Sequence, residues 1–174
     1  EIEHAQDILA DLIGAVVSAL RPDFQLAKLQ GDAAFTWMPG QAVDGSMLLD
    51  TIERCYFGFR RRRRDVRQAT SCPCNACVRI PDLDLKFVVH HGAIAKQVMA
   101  GTEELVGRDV ILIHRLLKNS VDTVIGKKPY VLYTDAFMKA GGINPEAQAL
   151  QPHTEQIDII GEVKAWLSDL DVAW

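Results

Sequence analysis

What this chain lacks narrows its class. No stretch approaches the roughly 18 uninterrupted apolar residues of a membrane-spanning helix, and no leader of basic, apolar and small-residue segments opens it. A cytoplasmic protein that does not enter a membrane is therefore expected. Cysteine is scarce and unevenly placed: Cys55 stands alone, while Cys72, Cys74 and Cys77 cluster. Such spacing does not suit a disulfide scaffold in a chain of this length. Positive charge is not in excess either. A formal net charge of −4 argues against a general nucleic-acid binder, although it is compatible with a local basic patch. The chain opens on Glu1 rather than methionine and runs straight into a helical pattern, so an N-terminally incomplete domain is expected.

What is present is one domain's worth of chain: 174 residues, 48% apolar and 24% charged, long enough for a sizeable core. Ile2, Ala5, Leu9, Leu12, Val16 and Leu20 recur at helical spacing, and Arg21-Pro22 closes that segment. Leu26 to Trp37 (LAKLQGDAAFTW) reads as a strand pair turned at Gly31-Asp32. It is either a plain hairpin or a junction that holds Asp32 for a metal, with Lys28 available to an anion. Pro39 to Ser46 reads as a loop. A second helix runs from Met47 towards Gln68, with Leu48, Ile52, Cys55 and Phe59 inward.

Arg60 to Arg64 follow on that helix. Consecutive helical residues fan around the axis, so the spacing predicts a solvated helix end rather than one binding face. An acidic or phosphate-bearing partner is the alternative. Nucleic acid ranks last, because aromatics do not interleave with the arginines.

Leu83 to His91 reads as a strand, with Leu85, Phe87, Val89 and His91 on its apolar face and Lys86, Val88 and His90 on the other. Gln97 to Leu105 looks turn-like. Val106 to Lys118 reads as a helix with Val106, Val110, Ile113 and Leu117 buried, and Arg108, Ile111 and Arg115 opposite. Pro129 to Thr134 is an expected strand and Asp135 to Ala140 a short helix stopped by Gly141-Gly142. Glu155 to Leu170 is an expected hairpin. Mixed α/β structure around one sheet is the class this order implies.

Cys72, Cys74 and Cys77 supply three soft ligands, one short of a closed zinc site. Cys55 precedes Cys72 by 17 residues, about 25 Å along an unbroken helix, and is a weak fourth ligand. His90, His91, a carboxylate, water or a second subunit could complete the set. Structural Zn²⁺, reduced thiols, and a disulfide or iron–sulfur cluster are the open readings.

Three segments, in order, resemble class III adenylate and guanylate cyclases. KLQGDAAF (28–35) is similar to their Lys-x-x-Gly-Asp hairpin, and FVVHHG (87–92) to their strand ending in Ile-His-x-Gly. ELVGRDVILIHRL (104–116) resembles their Asp-x-x-Gly-x-x-Val-Asn-x-x-x-Arg helix. The whole chain more closely resembles an uncharacterised actinobacterial and mycobacterial family of cyclase-related proteins, which shares the cysteine insert (69–81) and a HRLLKN-like segment. The resemblance implies an α/β fold of the class III cyclase type: a ferredoxin-like related mixed sheet with packed helices, here lacking the first core strand. It implies a single cyclase-like domain over 1–174.

The resemblance also implies roles. Asp32 corresponds to the second metal-holding aspartate, Lys28 to the purine-reading lysine, Glu104 to that lysine's partner acid, and Arg115 to the arginine that steadies the transition state. ATP or GTP with Mg²⁺ or Mn²⁺, and a homodimer, are implied in the same way. Two departures bear on activity. Ile111 stands where an asparagine orients the ribose, and an aliphatic side chain donates no hydrogen bond. The strand carrying the first metal aspartate is not in the chain, and one carboxylate is a poor Mg²⁺ site. The expectation is a degenerate nucleotide-binding or regulatory domain. A divergent nucleotidyl cyclase, active when N-terminally complete, and a zinc-stabilised dimeric scaffold without a nucleotide site are the alternatives.

Overall fold

The computed structural model describes residues 1–21, 23–40 and 43–172. Two groups of residues form compact units: 1–41 with 47–85, and 42–46 with 86–174.

In the first unit, α1 (Ile2–Leu20) buries Ile8, Leu12, Val16, Val17 and Leu20. Leu12, Val16 and Leu20 are buried as expected; the stripe departs only towards the start of the helix, where Ile8 is buried while Ile2 is 76% and Leu9 37% exposed. Pro22, expected to close this helix, lies outside the described residues. Strands β1 (Gln25–Gln30) and β2 (Ala33–Trp37) form the expected antiparallel hairpin. Gly31 supplies the positive φ of 62° that its turn requires. Helix α2 (Gly45–Ala69) begins inside the segment expected as a loop, of which Gln41 and Ala42 lie outside the described residues. Leu48, Ile52, Cys55 and Phe59 face inward as expected, joined by Tyr56. A short helix α3 (Asn75–Val78) and a 3₁₀ turn (Ile80–Asp82) follow, anchored by the buried Cys77 and Ile80.

The second unit is a four-stranded mixed sheet in the order β3-β6-β8-β7. Strand β3 (Lys86–Val89) pairs in parallel with β6 (Tyr130–Thr134). A parallel neighbour requires a crossover, and here it contains an antiparallel hairpin, β4 (Ala95–Met99) and β5 (Thr102–Val106), then α4 (Arg108–Leu116) and α5 (Val121–Ile125). After β6 the chain forms α6 (Asp135–Ala140) and returns through the antiparallel pair β7 (Gln151–Ile157) and β8 (Gly161–Asp169). Every residue of β6 is buried. Leu112 and Leu116 of α4 pack with Val121, Tyr130, Leu132, Ile157, Val163, Ala165 and Leu167, while Phe137 of α6 stacks on Tyr133 at 5.5 Å between ring centres.

Several expectations are corrected here. The β4–β5 hairpin replaces the turn-like reading of 97–105; the positive φ that it needs falls on Ala100 (50°) as well as Gly101 (83°), so only half the turn carried a glycine signal. The strand expected over 83–91 is confined to 86–89, because residues 80–82 form the 3₁₀ turn and the chain leaves the sheet after Val89. Alternation therefore does not extend to the histidines: His91 is exposed and His90 is the partly buried one. In α4 the buried residues are Val110, Leu112 and Leu116 rather than Ile113 and Leu117, and Val106 belongs to β5. Ile111 is 54% exposed, as its place on the polar face implied. Among the described residues, no helix is long and apolar enough to cross a membrane.

Candidate metal centre

Three features of the first unit bring metal-binding chemistry to one point. Helix α1 presents His4 in its first turns, Cys72 lies on the strand-free segment after α2, and Cys74 and Cys77 flank and enter α3. His4 Nδ1 lies 3.5 Å from Cys74 Sγ and 3.5 Å from Cys77 Sγ. The ligating atoms of His4, Cys72, Cys74 and Cys77 all fall within 4.8 Å of one another. A tetrahedral zinc site with Zn–N of about 2.0–2.1 Å and Zn–S of about 2.3 Å has N···S edges of about 3.6 Å. The His4 distances match that edge.

The surroundings hold this geometry. Glu1 Oε1 accepts the backbone N–H of Asn75 at 3.0 Å, fastening the start of α1 to α3. Beyond the knuckle, Arg63 of α2 donates to the Leu83 carbonyl and lies 3.5 Å from Asp84. The Cys77 backbone amide and then the His4 imidazole draw the Cys74 thiol down to about 6, while burial and then its cysteine neighbours push Cys77 up to about 11. Cys74 is thus the thiolate at neutral pH, and a bound dication would draw the proton from Cys77 as well.

The fourth ligand is not among those expected from the sequence. Cys55 is buried, with its thiol 3.8 Å from the Val16 carbonyl, and burial pushes it up to about 12; it is an inert core residue. His90 is engaged in the second unit, with Nδ1 2.8 Å from Thr134 Oγ1 and Nε2 3.5 Å from Asp109. A signal for His4 existed in the helical phase: it stands four residues before Ile8 and eight before Leu12, on the inward stripe of α1.

The residues implied by the cyclase resemblance divide between the units. Lys28 lies on β1, partly buried, and Asp32 is exposed in the β1–β2 turn. Glu104 lies on β5, opposite Gln97. Arg115 lies on α4 and donates from Nη1 to the Asp158 carbonyl at 2.9 Å. Among the described residues, Asp32 joins no group of three or more metal-ligating side chains; His4 and the three cysteines form the one such group.

Comparison with known proteins gives two matches. Residues 9–124 match the family model described as "Protein of unknown function (DUF2652)". The chain is 34% identical over 163 residues to the "Uncharacterized protein Rv2561/Rv2562" of Mycobacterium tuberculosis (strain ATCC 25618 / H37Rv), covering 93% of this chain and 73% of that protein. No solved structure matches significantly.

Proposed function

We propose that this chain, which belongs to the family described as "Protein of unknown function (DUF2652)", is a zinc-stabilised protein whose His4, Cys72, Cys74 and Cys77 form a closed structural site. The observation that carries this reading is the placement of His4 Nδ1 at 3.5 Å from two of the thiols, with all four ligating atoms within 4.8 Å. Three thiolates and one imidazole fill a zinc tetrahedron and leave no position for substrate, which is the donor set of a structural centre. The ion would tie the start of α1 to a knuckle some seventy residues later, a closure whose entropy is costly in the unfolded chain. Apparent zinc binding energies of about 10–16 kcal/mol in small zinc domains match or exceed whole-domain stabilities of about 5–15 kcal/mol. The first unit should therefore depend on its metal.

Metal analysis of the chain purified without chelator tests this. One zinc per chain is expected, lost in His4→Ala and Cys74→Ser, with a large fall in melting temperature on adding a strong chelator. Metal-free protein with an unchanged melt would overturn the reading.

A second reading retains the nucleotide and the homodimer. What favours it is that the first motif (28–35) lies on a hairpin, the second (87–92) on β3 and the segment after it, and the third (104–116) mainly on α4 after the end of β5, so the hairpin, the strand and most of the helix that the resemblance implies are present. On this reading Lys28, Asp32, Glu104 and Arg115 each keep the role that the resemblance implies. Calorimetric titration of ATP and GTP with either metal tests it. Binding that Asp32→Ala and Lys28→Ala both weaken is expected, together with a dimer by sedimentation. Absence of heat at millimolar nucleotide contradicts it.

A further inference from the structure

The proposed zinc centre gives no role to Arg60, Arg61, Arg64 and Arg67 of α2. At 100° per residue, Arg60, Arg64 and Arg67 lie within about 60° of one another. With Arg54, Arg61, Arg63, Phe57 and Pro81 they line one open groove of about 1090 Å³ along the helix. The fanning expected from five consecutive arginines is real for Arg62, which turns away to hold Asp11 through two bonds of 2.8 and 2.7 Å. The others share a groove because Arg67 extends the row by two turns and long stems reach around the helix.

These guanidiniums have donors to spare. Among the described residues Arg61 makes no ion pair, Arg64 reaches its sequence neighbour Asp65 at 3.2 Å, and Arg67 donates to the Thr70 carbonyl. Arg60 lies over the Tyr56 ring, 5.7 Å from its centre. Asp50 and Glu53 mark one end of the groove.

We propose that this groove binds a single strand of nucleic acid through its phosphates. Its cations are all arginines, with no lysine among them, and the planar guanidinium fork matches phosphate oxygens in a bidentate manner. The backbone positions of Arg60, Arg64 and Arg67 rise by about 6 Å and then about 4.5 Å along the axis, a linear row suited to a regular polyanion rather than a pit for one anion. A strand presents a phosphate at every nucleotide, whereas an acidic peptide presents carboxylates only where its sequence places them. Unstacked bases also rest on guanidinium planes, which a duplex withholds.

Fluorescence anisotropy with labelled oligo-dT and oligo-U of about twelve nucleotides, across a potassium chloride series, reads the proposal. With four phosphates neutralised, log K should fall against log salt with a slope of about −3. The double variant Arg61→Gln/Arg64→Gln should bind at least about tenfold more weakly, with a slope nearer −1.4. Arg62→Ala should keep the wild-type slope. Zinc content and melting temperature, measured on every variant, separate a lost groove from a lost fold. If the double variant unfolds, Arg61→Lys/Arg64→Lys keeps the charge and should retain the slope while losing affinity. No binding in low salt, a wild-type slope in Arg61→Gln/Arg64→Gln, or tighter binding of duplex, inorganic polyphosphate or polyglutamate would overturn the proposal.

Discussion

Glu155 shows how one buried carboxylate can be held charged. Its Oε1 accepts from the Ser120 backbone N–H at 2.6 Å, the Ser120 hydroxyl at 2.8 Å and His153 Nε2 at 2.6 Å. Burial alone would raise its pKa, but His153 and Ser120 outweigh that and hold it below the ordinary carboxylate value of about 4.5. Because the folded value is depressed, the stabilisation is complete above the unfolded value and is lost as pH falls through the folded one. Glu155→Gln should lower stability at neutral pH by about 1–3 kcal/mol and flatten the acid limb of the melting curve below about pH 5. Parallel wild-type and variant melting temperatures from neutral pH to pH 3 would contradict this. Gly92 makes a second case. A Cβ there would stand 2.3–2.6 Å from the Asp109 side chain, whose Oδ2 accepts the Ala93 N–H at 2.7 Å. Gly92→Ala should displace that carboxylate and lower the melting temperature, whereas an unchanged melt would show that the loop yields freely.

At the scale of elements, α2 is a clamp as well as a groove. Arg62 reaches Asp11 of α1 with side chains 49% and 35% exposed, a pair open to solvent screening, so Arg62→Ala should cost about 0.2–1 kcal/mol. Arg63 is 17% exposed and serves the Leu83 carbonyl and Asp84 together. Arg63→Ala should therefore cost more, about 1–3 kcal/mol, since a less exposed carbonyl loses its donor. Equal urea midpoints for the two variants would contradict that ordering. The same helix shows where sequence reading succeeds. Leu48, Ile52, Cys55 and Phe59 declared its inner face, because four apolar residues at regular spacing fix the phase. In α1, adjacent Ile8 and Leu9 are both apolar, and choosing Leu9 rotated the stripe away from His4. The three cysteines were legible as a donor set; their fourth ligand was not, since it stands 68 residues before Cys72. The β4–β5 hairpin escaped for a different reason, its turn using a non-glycine residue at positive φ.

For the molecule as a whole, mixed α/β structure was legible from the alternation of helical and strand periods, and membership of a family with a mycobacterial relative accords with the uncharacterised mycobacterial part of the resemblance alone. Each compact unit has its own source of order: in the first, the proposed zinc centre together with the buried apolar residues of α1 and α2, and in the second, the apolar core around Leu132 and Leu167. Chelation should therefore raise hydrogen exchange in 2–20 and 70–82 while leaving β6 and β8 protected. Uniform loss of protection would mean that the metal governs the entire chain. The most direct test of the zinc account is X-ray absorption at the zinc edge of the purified protein. The account predicts a first shell of three sulfurs at about 2.3 Å and one nitrogen at about 2.0–2.1 Å, with the nitrogen lost in His4→Ala. A shell dominated by oxygen and nitrogen, or a sulfur-rich shell unchanged by removing His4, would contradict it.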